Sequence, residues 1–572
     1  MERFVRKYLM IAGIILGAAS LGGCDGATLD IEISGSADIG DTPGFGGGND
    51  DDGGGVPITP PGGGGDDNGG GDEDGTARFR GQWIAAYEDD QVDDSLDIGF
   101  TQYAVVMTIA ESNGLLSGTG RLRRLYLGQT SADEEVDFRL EGETRGDRDA
   151  TITWTAVQAT DFELPPTWFL RISGNRMVGI FIENEVGGTL GRSGHTTWFR
   201  TTDTPLLTRS WAAAFEDATG TEGFPRRDRV AQMDISTVSD GPAGGGSMRV
   251  IRPNDVPNPL SFSVAGGSVA GNFADFAFVG SDIATNPFEW DGFFSDDVVA
   301  AVYSQFNVTP TQDVRVRFGH ALWHDQPNSG PDALNGRWVG AFSDDNAPGG
   351  EPPADYLAAM TLSVEDGGAV DGSSITVFNR SRNNPGFTSY DLEAGQLFGT
   401  RVAFDLVSTN DAFIWDFRLA GSLLIGAYQR VDSSGAFLSR GTAVFRRANT
   451  NTVLRGGWVT SYFDTTNDTG DRVTQLARIA ITDQDNQGNF VGNGFIRFAN
   501  SEQGNERTFT LSGQIQNSVI TMTWEGGGLV NATEWTLRRS NGGLHGAYEN
   551  LLSTGALESR GSAFWRSTTT QR

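Results

Sequence analysis

One cysteine, Cys24, and one lysine, Lys7, are all that the 572 residues contain of either type, and both lie before residue 25. The rest of the chain therefore has no disulfides, cysteine nucleophiles or cysteine-rich metal sites. It also lacks P-loop, Schiff-base and Ser-Lys chemistry, each of which needs a residue that is missing. Histidine is nearly as scarce, at His195, His320, His324 and His545. No Gly-x-Ser-x-Gly elbow occurs, and no amphipathic helical run follows the N-terminus. Basic charge is short as well. A formal net charge of -32 argues against duplex DNA or RNA as a partner, since phosphate binding needs a basic surface, while an acidic surface favours solubility and attracts cations or basic partners.

What the chain has instead is 79 glycines, 35 phenylalanines and 13 tryptophans, a composition that leans to an all-β protein with many tight turns. One stretch organises it. Arg80-Gly81-Gln82-Trp83-Ile84-Ala85-Ala86-Tyr87-Glu88-Asp89 places an aromatic, a small residue, an aromatic and an acid on alternate positions, and so on one face of a strand. The pattern returns as Trp211-Ala212-Ala213-Ala214-Phe215-Glu216-Asp217, Trp338-Val339-Gly340-Ala341-Phe342-Ser343-Asp344 and Trp458-Val459-Thr460-Ser461-Tyr462-Phe463-Asp464. Four units of about 120 residues follow from this spacing.

The last two units share one offset: Trp338/Trp458, Gly372/Gly492, Trp415/Trp535, Tyr428/Tyr548 and Gly441/Gly561 all match. Within the last unit, turn residues separate eight short runs: Trp458–Asp464, Thr474–Thr482, Phe490–Phe498, Arg507–Gln514, Val519–Trp524, Glu534–Arg539, Gly543–Asn550 and Glu558–Arg566. Asn486-Gln487-Gly488, Asn541-Gly542 and Ser553-Thr554-Gly555 supply the positive-φ residues that hairpins want. Eight strands in a meander close into a barrel when the first can pair with the last, and closure removes aggregation-prone edges. The expected architecture is all-β: four tandem antiparallel eight-stranded meander units, each a small β-barrel, over 78–202, 207–326, 334–448 and 454–568.

At the N-terminus, Arg3, Arg6 and Lys7 precede an apolar run from Tyr8 to Ala19 and then Leu21-Gly22-Gly23-Cys24, a charged region, a short apolar region and a small-residue cleavage site. This resembles the signal peptide and lipobox of bacterial lipoproteins, over residues 1–23. The resemblance implies that Cys24 carries diacylglycerol on its sulfur and a further chain, such as palmitate, on its nitrogen. Two or three such chains exceed what stable membrane anchoring needs. It also implies a cell-envelope location, with the outer membrane or cell surface favoured; Asp25 leaves the inner membrane open. Residues 24–77 are rich in Gly, Asp and Pro and, as far as Ala77, lack Lys and Arg. They read as a disordered tether on the order of 40 Å end to end, stretched by like charges.

Gly81-x-Trp83, Gly336-x-Trp338 and Gly456-x-Trp458, with Arg200, Arg446 and Arg566 near the unit ends, resemble lipocalin and avidin barrels. In those families the Trp closes one end and a last-strand Arg packs over it. The second unit departs, with Ser210 and His324 at these places. A looser similarity of layout is to surface lipoproteins whose eight-stranded barrels bind host proteins.

Asp89, Asp217, Asp344 and Asp464 occupy one step after each framework Trp, at the rim, and are candidates for a ligand or cation contact or for turn hydrogen bonds. Trp168, Trp290, Trp415 and Trp535 recur on the sixth strand, as core filling or as a stacking platform for a ring ligand. His195 and His320 match in position but are replaced by Thr442 and Ser562 in the other units, which points to a tolerated surface or rim place. Asp483-x-Asp485-x-Gln487-Gly488 begins like a calcium loop but has Gly494 where the bidentate Glu belongs. Glu289 and Asp291 lack the spacing of glycosidase carboxylates. No metal or cofactor is implied.

The expected role is a non-catalytic binding or structural module, anchored by Cys24 and meeting a protein or glycan partner through rim loops. A carrier of a small apolar or aromatic ligand, and a carboxylate-dependent glycan-active enzyme, are the alternatives. Replacing the anchor, Cys24→Ser, is expected to move the protein from the membrane pellet to the soluble fraction after cell lysis. Retention in the pellet at the wild-type level would remove the lipobox reading.

Overall fold

A computed structural model of the chain describes residues 78–92, 101–126, 134–158, 165–184, 190–202, 205–220, 227–238, 241–251, 259–280, 287–308, 313–327, 330–344, 354–380, 386–466, 472–499, 505–526, 529, 532–552, 554 and 557–568. The expected signal peptide, Cys24 and the tether lie outside them. Among the described residues there is no α-helix. A single 3-10 turn, Pro331–Leu334, leads into the third unit.

Each unit is an antiparallel meander in which the eighth long strand returns to pair with the first, giving four closed barrels in tandem. Closure sets Trp83 opposite Arg200, Trp211 opposite Asp325, Trp338 opposite Arg447 and Trp458 opposite Ser567. In the first two barrels the two-residue strands Gln91–Val92 and Thr219–Gly220 add a second pairing to the closing strand. The eight runs expected in the last unit are all strands, from Gly456–Thr466 to Leu557–Ser567, shifted by at most two residues at either end.

Every barrel has a Trp end and an Asp end, the two ends of its opening strand. Tight turns such as Asn113-Gly114, Gly174-Asn175, Gly421-Ser422 and Asn541-Gly542 join strands at the Trp end. Asn113 (φ 51°), Gly114 (φ 77°) and Gly542 (φ 81°) take the left-handed backbone that a two-residue hairpin turn with right-handed strand twist requires. Successive barrels also follow one another at the Trp end, where Thr201, Asp325 and Arg447 end the closing strands and Arg209, Gly336 and Gly456 begin the next opening strands. At the Asp end lie the strand ends Tyr126 and Glu134, Ile251 and Leu260, Val308 and Asp313, and Arg380 and Gly386.

The barrels pack as a ring. In each, the last two strands dock on the first two of the barrel before it, and those of the first barrel dock on the fourth. The second strand uses one repeat position each time, Gln102, Asp228, Asp355 and Thr474, while the closing strand supplies the residue before its passing glycine in three joints and the residue after it, His320, in the other. His320 is 2.6 Å from Gln102, Arg440 is bonded to Asp228, Arg560 lies 3.6 Å from Asp355, and Ser193 is 3.1 Å from Thr474. Outward-facing apolar residues fill the joints: Ile84 and Ala86 of barrel 1 share a buried cluster with Ala300 and Val302 of barrel 2 and Ile425 of barrel 3. Val178 and Ile180 of barrel 1 meet Val459 and Leu476 of barrel 4. This explains why Gly81–Glu88 is buried on both faces from Trp83 onward, whereas Glu134–Arg145, away from the joints, alternates buried and exposed.

The glycines Gly194, Gly319, Gly441 and Gly561 sit where the closing strand passes the opening one. A Cβ on Gly441 would meet the Ser343 carbonyl oxygen at 2.7 Å and the Tyr428 ring at 2.9 Å. At Gly319 the same atoms belong to Glu216 and Tyr303. Gly441→Ala is therefore expected to lower stability by about 1–3 kcal/mol, the cost of overpacking a closed site, read as a lower thermal midpoint by calorimetry. The exposed-turn substitution Gly435→Asn, at a left-handed position (φ 83°) with open space around it, serves as the comparison and is expected to be nearly neutral.

Candidate functional site

The interior of each barrel is built from three layers along its axis. At the Trp end, the framework indole donates to the carbonyl four residues earlier: Trp83 to Phe79 (2.9 Å), Trp211 to Leu207 (3.0 Å), Trp338 to Leu334 (2.9 Å) and Trp458 to Leu454 (3.1 Å). Phe79, Leu207, Leu334 and Leu454 are themselves buried, so the approach chain plugs that end. A guanidinium lies over each indole: Arg200 over Trp83 at 4.7 Å, Arg209 over Trp211 at 5.8 Å, Arg447 over Trp338 at 4.3 Å and Arg539 over Trp458 at 5.6 Å.

The resemblance to lipocalins and avidins named Arg446 and Arg566 for this place, and the register corrects it. Arg446 pairs with Val339 and Arg566 with Val459, one residue before the Trp partner, and a one-residue step along a strand reverses the face. Both therefore point out of their barrels. In barrel 4 the Trp partner is Ser567, and Arg539 covers the indole instead, donating to the Val453 carbonyl. The position four residues before each Trp was a readable signal: Phe or Leu stands there in all four units.

In the middle layer Trp168, Trp290, Trp415 and Trp535 are at most 2% exposed. Each makes edge contacts with an aromatic of the opening strand and one of the closing strand. Trp168 meets Tyr87 (5.3 Å) and Trp198 (5.2 Å), and Trp290 meets Phe215 (5.3 Å) and Trp323 (5.2 Å). Trp415 meets Phe342 (5.3 Å) and Phe445 (5.7 Å), and Trp535 meets Tyr462 (5.7 Å) and Trp565 (5.3 Å). These rings span the barrel from wall to wall. The Nε1 atoms of Trp168, Trp290 and Trp535 have no hydrogen-bond partner, so their place is set by ring packing, not by the donor. A stacking platform needs an open ring face, and in this structure those faces are occupied by neighbouring side chains.

At the Asp end, Asp89, Asp217, Asp344 and Asp464 are 0%, 0%, 2% and 5% exposed. They lie beneath the rim expected of them and accept from the strand that follows. Asp89 takes the Thr101 amide (3.0 Å) and Arg192 (3.2 Å). Asp217 holds Arg229 and the Tyr303 hydroxyl (2.7 Å). Asp344 takes the Ala354 amide (3.1 Å) and the hydroxyls of Tyr356 (3.0 Å) and Tyr428 (2.7 Å), and Asp464 takes the Val473 amide (3.2 Å). Burial pushes the Asp89 carboxyl up to about 7 against the pull of Arg192, and pushes Asp464 up to about 6 against hydrogen bonds from Ser559, Val473 and Gln475. A carboxyl of this kind locks the first turn of its barrel to the wall.

The histidines differ from their expected surface or rim place. His195 is buried and its Nδ1 lies 2.5 Å from Asp90, which also accepts from Thr474 of barrel 4, while His320 reaches Gln102 of barrel 1. Both are joint residues, a role that no single-unit comparison reveals. Asp485 accepts the amides of Gln487 and Asn489 and so forms a side-chain-capped hairpin turn. Glu289 and Asp291 sit on the strand Phe288–Phe294 at the positions that alternate with the core residues Phe288 and Trp290, and so face away from that core.

No protein-family profile and no curated protein matches this chain. Solved structures that align with it include a Nostoc punctiforme protein of unknown function (13% identity, 42% of this chain and 96% of that one, TM-score 0.17). Another is a putative AttH from Nitrosomonas europaea (10% identity, 42% and 96%, TM-score 0.19). A third is a double mutant of transferrin binding protein B from Haemophilus parasuis (9% identity, 81% and 99%, TM-score 0.17). At these TM-scores the likeness carries no argument about function.

The raised carboxyl of Asp464 has a consequence for stability. With its folded pKa about 6 and an unfolded value about 3.9, the native state keeps a proton that the unfolded chain has released, so the Asp464 contribution falls as pH rises from about 4 through 6 and is level above, while Asp89, held up to about 7, adds a fall that reaches one unit higher. Asp464→Asn is expected to remove the Asp464 part of this fall, up to roughly 3 kcal/mol, and to leave the Asp89 part, in denaturation midpoints measured across pH 4–8. An unchanged pH dependence would place the titration elsewhere.

Proposed function

We propose that the chain is a lipid-anchored, non-catalytic binding module of a bacterial envelope, presenting the Asp end of its barrel ring to a protein or glycan partner. The observation that carries this reading is the filling of all four barrels: each interior is one contiguous cluster of buried side chains, so binding falls to the outer surface. A carrier would need an open barrel, and a carboxylate enzyme would need paired acids facing a cleft. The close ring contacts of the sixth-strand tryptophans and the buried, hydrogen-bonded aspartates favour neither.

The ring also has a direction. Arg78 and Phe79 approach the first barrel at its Trp end, against Arg200 and the Trp83 indole, and the later opening strands start at the same end, so in this reading the opposite, Asp end is the one displayed to a partner. Among the described residues no helix is long and apolar enough to cross a membrane, which says nothing of the N-terminal segment. Four related surfaces held in one rigid ring raise effective concentration for a repeated partner such as an envelope glycan.

The test is direct binding of the full-length protein, in detergent, to arrayed bacterial envelope glycans and purified surface proteins. Versions with the segments 252–259, 309–312 and 381–385 replaced by Gly-Ser of equal length are compared with versions altered at the Trp-end turns. Loss of a measured interaction, tenfold or more, is expected only for the Asp-end replacements. Binding that instead follows the Trp-end turns would reverse the orientation, and saturable uptake of an apolar dye into the folded barrels would favour the carrier reading.

A further inference from the structure

The seam where each barrel closes also lines the axis of the ring, and one repeat position meets there from all four barrels: Phe199, His324, Arg446 and Arg566. All are nearly inaccessible, at 0%, 1%, 2% and 0% exposure. Arg176 and His545, on the seventh strands of barrels 1 and 4, join them at 2% and 5%. Arg176 stacks over Phe199 at 4.4 Å. Arg446 of barrel 3 and Arg566 of barrel 4 share the Phe564 ring, at 4.5 Å and 5.4 Å, and His545 packs on it at 4.6 Å.

Cationic groups are thus sealed at the centre of a chain whose net charge is -32. Burying a guanidinium is costly unless an opposite charge accompanies it. Asp297, half exposed, pairs with Arg176. Donor and acceptor atoms nevertheless stay open: both ring nitrogens of His324, the Nε and Nη1 of Arg176, the Nε2 of His545 and the Oγ1 of fully buried Thr568 have no hydrogen-bond partner. Burial, and after it Arg446 and Arg176, hold the His324 imidazole well below its ordinary pKa, and burial and Arg446 do the same to His545, so both are neutral at pH 7 and the surrounding potential is positive.

We propose that the ring axis binds a small inorganic oxyanion of the phosphate or sulfate type, held by the guanidinium groups of Arg176, Arg446 and Arg566 with an N–H of His324. Guanidinium forks match the oxygen spacing of such anions, and the anion satisfies the open donors of His324 and Arg176. Its ligands come from every quarter of the chain, Arg176 from the first barrel, His324 from the second, Arg446 from the third and Arg566 from the fourth. The bound ion is a staple for the assembled ring, not a substrate.

The experiment uses the full-length protein in detergent, freed of multivalent anions by dialysis. Thermal midpoints are measured against phosphate and against sulfate at ionic strength held constant with chloride, and radiolabelled phosphate binding is measured by equilibrium dialysis. A saturable rise in midpoint with one of the two oxyanions, and stoichiometric retention of it, are expected; the stronger of the two identifies the ion. His324→Leu, of similar bulk and without donors, is expected to weaken binding about tenfold while the ring stays folded, and Arg446→Met to weaken it further. Should Arg446→Met fail to fold, the dialysis measurement on the wild type and on His324→Leu decides. Equal midpoints in chloride and both oxyanions with no retained label, or an Arg446→Met protein more stable than wild type in every salt, would overturn the proposal.

Discussion

The structure depends on a double duty at one line of contact. In each barrel the last strand must hydrogen-bond to the first to close the sheet, and the outer side of the same two strands must bury itself against neighbouring barrels. Residues there have no solvent face, which is why Ala86, Ala214 and Ala341 stand on the outward positions of the opening strands while Glu and Arg fill the outward positions of strands remote from the joints. The passing glycines follow from the same constraint: with a Tyr or, at Gly194, a Phe ring on one side and a carbonyl on the other, the closing strand has room for no side chain.

Because the joint is made head to tail, four times with the same strands of the repeat, it closes on itself. A heterologous contact either continues indefinitely or returns to its start, and here covalent linkage of four copies ends it at a ring. The chemistry at each joint has diverged while its location has not. Arg440 with Asp228 and Arg560 with Asp355 are ion pairs; His320 with Gln102 and Ser193 with Thr474 are hydrogen bonds in which neither partner is a carboxylate. Duplicated units can exchange one polar pair for another provided both partners change together, since a buried charge left alone costs more than the pair is worth.

The inside of the barrels obeys a simpler rule. An eight-stranded barrel is just wide enough to be filled by side chains. A Trp on the sixth strand, reaching from one wall to aromatics on the first and eighth, does so in every copy. That leaves the two ends to be sealed, by the approach chain under a stacked guanidinium at one and by a carboxylate bonded to the next strand at the other. In the proposed reading a partner therefore meets the outside of the barrels, and the ring decides which outside surfaces remain.

Strand count, barrel closure and the identity of the inward-facing residues were legible in the sequence because alternation and repetition record them locally: Trp83, Ala85 and Tyr87 read as one face and are one face. The resemblance to lipocalins and avidins placed Arg446 and Arg566 on the wrong side, since the partner of a closing-strand residue depends on a register set across more than a hundred residues. Local reading also gave His195 and His320 to the surface, because burial between barrels leaves no period in a single unit. The sequence alone therefore determined what each barrel is, through side-chain periodicity along its own strands. Only the tertiary structure decided that four barrels form one ring with a cationic axis, because that arrangement rests on contacts between residues far apart in the chain, whose types, Ala, Val, Ser and Arg, carry no mark of their partners.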